Sequence, residues 1–372
     1  MVDRLDIIDT WFLVTAWMLA GLAVAGAACV VWRLRRQRVV WSAVTGLIAA
    51  VLVLAAAADS VNAHYAYWPT IGDARQALTG DRQWRTIQAL QRLTPAAQRA
   101  AAKNGLVVKI RIPANAVYGF AATTNIAYLP PQYFTQPGSR FPVVYLFHGT
   151  PGKAADWFHA GQAAREGRAT AASGHPAILV AAQMSRSWTD DPECVDGAQE
   201  KVESHFMQQV IPTIDAVLRT QPDRGGRVFA GMSAGGYCAL NLGLRHRDLV
   251  ATVIDLSGDT VPTHGGGAKV LFGKHNPGAE ALVAANSPAS YAASQSATPP
   301  TRIWLESGTS DKTIVREMSS LARTLTSRGV PVSWRVRPGG HTYRVWTAAL
   351  REALAWALGN SPPGNSGSRP GP

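Results

Sequence analysis

The chain has 372 residues, with 36 Lys and Arg against 24 Asp and Glu, a formal net charge of +12. That length accommodates one large domain with additions. The basic residues are mostly scattered arginines, and no zinc-finger, RNP or helix-turn-helix pattern occurs, which argues against nucleic acid as a partner. An anionic envelope surface or acidic lipid is the better electrostatic match, unless the charge serves solubility alone.

Met1–Thr10 leans acidic, with Asp3, Asp6 and Asp9. Trp11–Trp32 then runs without a charge, about the ~20 residues that span a bilayer. Arg33-Leu34-Arg35-Arg36-Gln37-Arg38 follows, and Val39–Ala58 is a second uncharged run. The pattern predicts a transmembrane helical hairpin over residues 1–58. Its arginine loop is expected on the cytoplasmic side, so everything after Ala58 is expected outside. Trp11, Trp32, Trp41, Tyr65, Tyr67 and Trp68 fall near the span ends, where aromatic belts form. Two alternatives compete. The runs could be buried core helices, or Arg33–Arg38, Val39–Leu54 and Ala55–Ala58 could form a cleavable signal, although its apolar core would be long and a span would precede it.

Residues 59–105 read as a helical connector, with polar, Ala/Gln/Arg-rich stretches at Asp73–Leu78 and Arg82–Lys103. From Leu106 the pattern changes. Leu106–Ile112, Asn125–Leu129, Phe141–Phe147, Ala177–Met184, Arg227–Met232, Ala251–Ser257, Thr301–Glu306 and Val332–Arg337 read as strands. Helices are expected at Lys201–Thr220, Ala234–Arg245, Asp311–Arg328 and Tyr343–Leu358. Buried β-rich runs alternating with amphipathic helices predict an α/β domain over residues 106–359, with a mostly parallel central sheet. Asn360–Pro372 lacks an apolar anchor and is expected to be a disordered tail.

The chemistry centres on Gly231-Met232-Ser233-Ala234-Gly235, a G-x-S-x-G pattern between a strand and a helix. Such a corner strains its central residue and brings backbone segments close, which explains the flanking glycines. It raises the Ser233 hydroxyl above the sheet edge and leaves the Ala234 amide free for an oxyanion. A serine needs a base, and His341 in Arg337-Pro338-Gly339-Gly340-His341 follows the last strand. The base needs a carboxylate; Asp311, in Gly308-Thr309-Ser310-Asp311, is the candidate, with Glu306, Asp255 and Asp259 as competitors and an N-cap as its alternative role. A second oxyanion donor should come from His148-Gly149-Thr150-Pro151-Gly152. Pro151 has no amide hydrogen, so Thr150 is selected, and His148 is expected to pack beneath the loop.

Three cysteines occur, with no metal-ligand spacing. Cys29 lies in the first apolar run. Cys194 and Cys238 could pair as a disulfide in an oxidising compartment, or remain two buried thiols. Cys194 belongs to the loop Ser185–Gly197, which reads as a substrate-recognition loop carrying Trp188 or as a solvated acidic loop.

Ala127-Tyr128-Leu129-Pro130-Pro131, Pro142–Gly149, Gly231–Gly236 and Gly339-Gly340-His341 together resemble the esterase D-like branch of the α/β-hydrolases. That branch includes carbohydrate and feruloyl esterases, S-formylglutathione hydrolase and the mycobacterial mycolyltransferases. The resemblance covers roughly Leu106–Leu358, and with Asp191-Pro192-Glu193-Cys194 it is nearest to membrane-anchored actinobacterial esterases. It implies a serine acyl-enzyme mechanism using Ser233, Asp311 and His341, no metal and no organic cofactor. The implied substrate is an acyl ester, of envelope lipid or glycan given the predicted membrane tether, for a cell-membrane protein with an extracytoplasmic catalytic domain. The mycolyltransferases use Glu as the acid, so Asp311 points to the hydrolytic members. The rival expectations are a mycolyltransferase-like acyltransferase and a non-catalytic binding module on the same fold.

Overall fold

The computed structural model describes residues 6–33, 39–68, 70–79, 84–296 and 298–359. Most of the arginine-rich turn, residues 34–38, and the tail 360–372 lie outside the described residues. The chain divides into two units, Met1–Gln83 and Trp84–Pro372.

In the first unit, helices Thr10–Arg33 and Val39–Tyr65 contain the apolar stretches Thr10–Val30 and Ala43–Ala63, with mean hydropathies of 2.0 and 2.1. Each stretch is long and apolar enough to cross a bilayer. Leu22, Leu47 and Leu54 are exposed, the opposite of what core helices do. A hydrogen bond of 2.9 Å from Trp17 Nε1 to Ser60 Oγ joins the two helices. The second helix runs past Ala58 to Tyr65, so the expected break into a connector at residue 59 is not there. A short helix, Ile71–Thr79, follows, with Thr70 Oγ1 accepting from the Asp73 amide.

The rest of the expected connector belongs to the second unit, which begins at Trp84. Arg85–Thr86 (β1) joins the sheet, and helix Pro95–Asn104 is capped by Thr94, whose side chain accepts from the Ala97 amide. The sheet continues with Leu106–Ile112 (β2), Thr123–Leu129 (β3), Val143–Phe147 (β4), Ile178–Ala182 (β5), Arg227–Met232 (β6), Thr252–Leu256 (β7), Arg302–Gly308 (β8) and Val332–Arg337 (β9). Its nine strands lie in the order β1-β2-β3-β5-β4-β6-β7-β8-β9. β3 is antiparallel to both neighbours, and β5, β4 and β6 to β9 run parallel. This is the α/β-hydrolase arrangement, with the order reversing around β4, the place where open α/β sheets put their sites.

The central strands are apolar throughout because both faces are covered. Every residue of β4, β5, β6 and β7 is buried. Tyr145, Phe147, Phe206 and Phe229 meet edge to face at centroid distances from 4.9 to 6.0 Å. Helix Lys312–Ser327 buries Ile314, Met318, Leu321, Ala322 and Leu325, the spacing of one helical face.

The helix expected over Lys201–Thr220 is not continuous. A π-helical turn, Phe206–Val210, separates Val202–His205 from Ile211–Val217. Pro212 lacks the N–H that a regular helix would direct to the Gln208 carbonyl, and the wider turn absorbs that mismatch. Between β7 and β8 the chain inserts three short helices, Gly267–Phe272, Ala279–Ala285 and Pro288–Tyr291, which the sequence pattern did not suggest.

Candidate active site

The turn after β6 forces Ser233 to φ 55° and ψ −132°, a conformation costly for a residue with a side chain. Its flanks explain the glycines. A Cβ on Gly231 would sit 1.8 Å from the Gly235 carbonyl oxygen, and one on Gly235 would sit 2.2 Å from that of Phe147. The elbow is held from below by the Ser233 amide donating to the Leu256 carbonyl at 2.9 Å.

Ser233 faces the loops after β8 and β9. His341 Nε2 lies 2.8 Å from Ser233 Oγ, and His341 Nδ1 lies 2.6 Å from Asp311 Oδ2. The structure thus brings these three residues, distant in sequence, into one hydrogen-bonded line. Backbone contacts set their spacing: the Ser310 amide donates to the Gly339 carbonyl at 2.8 Å and the Thr309 amide to that of Arg337 at 2.8 Å. A Cβ on Gly308 would meet the carbonyl oxygens of Gly339 and Gly340 at 2.6 and 2.7 Å, so the two loops approach closely only because residue 308 is glycine.

The competing acids are occupied elsewhere. Glu306 accepts from Arg337 Nε at 2.7 Å and from Trp304 Nε1 at 3.0 Å. Asp255 is fully buried beneath the elbow, where its Oδ1 accepts from the Gly258 amide at 2.7 Å, and burial raises its pKa far above the ordinary carboxylate value. Asp259 is also pushed upward, chiefly by burial, with the nearby His341 pulling the other way.

Gly149 lies against Ser233; a Cβ there would be 3.2 Å from Ser233 Cβ. The amides of Thr150 and Ala234 donate to no group among the described residues. Ala234 opens the elbow helix, so its N–H has no partner within that helix. His148 is buried beneath the loop. Its Nε2 accepts from the Met184 amide at 3.3 Å, so Nδ1 carries the proton and donates to the Gly149 carbonyl at 2.9 Å. Burial lowers its pKa to about 4, which keeps this ring neutral.

The loop 185–197 is tied to the same region. The Gly152 amide donates to the Trp188 carbonyl at 2.8 Å, and Thr150 Oγ1 donates to Asp191 Oδ1 at 3.1 Å. Trp188 as a whole is 53% exposed. Cys194 is joined to Cys238 of the elbow helix by a disulfide, with Cα atoms 5.4 Å apart. Glu193 and Cys194 both hold left-handed backbone, at φ 53° and 49°. Glu193 is buried and accepts from the Thr263 amide at 2.6 Å. Burial, reinforced by Asp191 and Asp259, raises its pKa to about 8.

Two further residues escaped the sequence reading. The Trp346 ring packs edge-on to His341 at 4.9 Å, and its Nε1 donates to Ser257 Oγ at 3.1 Å. Ser257, at φ 58°, sits in the turn after β7. The one available signal was position: Trp346 stands five residues beyond His341, on the helix that this loop enters.

A family model described as "Putative esterase" matches residues 121–357. An uncharacterized protein of Corynebacterium glutamicum is 25% identical over 357 residues, covering 92% of this chain and 81% of its own length. An esterase of Mycobacterium tuberculosis is 26% identical over 243 residues, 58% of this chain, and this chain spans about half of it, 52%. Among solved structures, a ferulic acid esterase superimposes with a TM-score of 0.59 at 23% identity, covering 68% of this chain and 98% of its own. An S-formylglutathione hydrolase from Agrobacterium tumefaciens gives a TM-score of 0.59 at 14% identity, covering 70% and 97%. At these identities the solved structures bear on the fold alone.

Proposed function

This chain belongs to the Esterase family, and on that premise we propose that it is a serine esterase with Ser233 as its nucleophile. The single observation that carries the reading is the hydrogen-bonded line Ser233–His341–Asp311, at 2.8 and 2.6 Å. His341 Nε2 takes the proton as Ser233 Oγ attacks the ester carbonyl, then returns it to the departing alcohol oxygen. Asp311 holds the Nδ1–H tautomer and stabilises the imidazolium. The Thr150 and Ala234 amides are the proposed oxyanion donors, each free to turn to a developing negative charge. Water, activated by the same imidazole, then releases the acid and restores Ser233. An alcohol in place of water would make the same acyl-enzyme a transferase.

We further propose that the enzyme is tethered to the cell membrane by its N-terminal helices, with the second unit outside. Supporting this are the two helices of spanning length, the four arginines between them and a disulfide of the kind oxidising compartments permit. Such a location favours acyl esters of envelope lipids or glycans, with the exposed Trp188 as a substrate contact.

Replacing Ser233→Ala should abolish both fluorophosphonate labelling and p-nitrophenyl butyrate hydrolysis. Labelling or turnover that persists in the variant refutes the assignment. Protease added to intact cells should digest the chain beyond residue 83; full protection of that region refutes the topology.

A further inference from the structure

The positive charge of the chain is unevenly spread. Residues 82–155 hold nine Lys and Arg and no Asp or Glu, so this stretch alone supplies +9 of the net +12. Its first part builds one edge of the catalytic unit: the edge strand β1, the 3₁₀ turn Ile87–Arg92, helix Pro95–Asn104 and β2. Arg85, Arg92, Arg99, Lys103 and Arg111 are all exposed there, and none of the five has an ion pair or side-chain hydrogen bond among the described residues. Lys109, by contrast, lies over the Trp84 ring at 6.0 Å, and Arg140 donates to the Thr220 carbonyl at 3.1 Å. Arg99 and Lys103 stand at i and i+4 on one helix face, where like charges repel unless an anion covers them.

Cations at a free strand edge also deter pairing with other chains. That role concerns β1 alone and would not empty the flanking turn, helix and β2 of acids. A surface that repels itself and holds no counter-charge is complementary to a dense array of anions. Position in the chain selects the array. Trp84, where the catalytic unit begins, follows by 19 residues the Tyr65 that ends the second helix of spanning length. The proposed tether therefore keeps this edge at high effective concentration beside a bilayer. We propose that Arg85, Arg92, Arg99, Lys103 and Arg111 form a docking face for anionic phospholipid head groups, which holds the catalytic unit on the membrane that carries it. This rests on the proposed membrane tether. Each such cation at an anionic surface favours the docked state by about fivefold.

The test places the full chain in nanodiscs of phosphatidylcholine, with or without about 30% phosphatidylglycerol, and follows amide hydrogen exchange over residues 85–111. Phosphatidylglycerol should slow exchange in helix Pro95–Asn104 by at least about fivefold. At about 0.5 M salt the effect should fall below about twofold, because surface charges are then screened. Arg85→Gln, Arg92→Gln, Arg99→Gln, Lys103→Gln and Arg111→Gln together should abolish it. Turnover of p-nitrophenyl butyrate should stay near the parent value in that variant, since none of the five belongs to the proposed active site. Equal exchange in both discs, or slowing that survives high salt or the combined replacement, would overturn the proposal. So would slowing by soluble polyphosphate in phosphatidylcholine discs with none from phosphatidylglycerol, which would mark a site for a soluble polyanion. Should the combined variant fail to fold, Arg99→Gln/Lys103→Gln and the salt series in the parent decide the matter. Both faces of a disc carry the same lipid, so the outcome does not depend on which side the catalytic unit occupies. A chain that enters neither disc would sink the tether and this inference together; a chain that enters both and exchanges alike sinks this inference alone.

Discussion

The disulfide between Cys194 and Cys238 should dominate the stability of the catalytic unit. The two cysteines are 44 residues apart, and closing a loop of that length removes about 4 kcal/mol of unfolded-state entropy. For a domain of this size each kcal/mol shifts the melting temperature by about 2–4 °C, so the double replacement Cys194→Ala/Cys238→Ala should melt roughly 8–16 °C below the parent. There should also be a catalytic effect. The bridge pins the loop whose Asp191 holds Thr150 Oγ1 and whose Trp188 carbonyl holds the Gly152 amide. Loosening a hydrogen bond worth about 1 kcal/mol at this place should lower kcat for p-nitrophenyl butyrate about fivefold. Differential scanning fluorimetry and steady-state kinetics on the double variant measure both. A melting shift below about 2 °C with unchanged kcat would refute the reasoning, and would assign the ordering of the loop to its other anchors, Glu193 with Thr263 and the Ala198 amide with the Leu271 carbonyl.

Asp311→Asn should leave the fold intact and lower kcat by about three to four orders of magnitude, because the amide cannot stabilise the imidazolium; a loss under tenfold would exclude Asp311 as the acid. Glu193 has a folded pKa raised to about 8 from 4.5. Its stabilising effect is therefore complete below about pH 4.5 and is lost as pH rises through about 8. Glu193→Gln, which can still accept from the Thr263 amide, should flatten the fall in stability between about pH 4.5 and about pH 8 by at most about 5 kcal/mol, read from denaturant midpoints across that window; an unchanged slope would contradict the assignment. Trp346→Phe keeps an aromatic edge beside His341 but removes the 3.1 Å bond to Ser257, and should lower kcat about three- to tenfold with KM little changed. A change confined to KM would count against a positioning role.

These sites differ in how far they could be read from sequence, and the difference is physical. Gly231 and Gly235 were legible because their constraint is local: backbone passes within 1.8 and 2.2 Å of where a side chain would start, and only one residue type tolerates that. The central strands were legible because burial on both faces removes polar residues from whole runs. The π turn at Phe206–Val210 was not, since Pro212 announces a disturbed helix without saying how it is resolved. Nor were the left-handed Glu193 and Cys194, or the insert with Thr263, which hold one another through contacts across some 70 residues.

Asp311 shows where topology replaces local pattern. Two acids lie five residues apart at the end of β8, and composition does not separate them. Position along the strand does. Glu306 is inside β8, where it reaches across to Arg337 on the paired strand β9. Asp311 lies beyond the last ladder residue, Gly308, in the turn that the Gly339 carbonyl receives through the Ser310 amide. A carboxylate within a strand is fixed to the sheet and to its neighbours' side chains. One released past the strand end shares a rim with every other loop at that edge, and the histidine after β9 meets it there. Asp311→Ala combined with Ser307→Asp should therefore not rescue kcat, because residue 307 is still paired to Val336 within the sheet. Recovery to within about tenfold of the parent rate would show that mere proximity in sequence suffices, and would remove the topological reason for choosing Asp311.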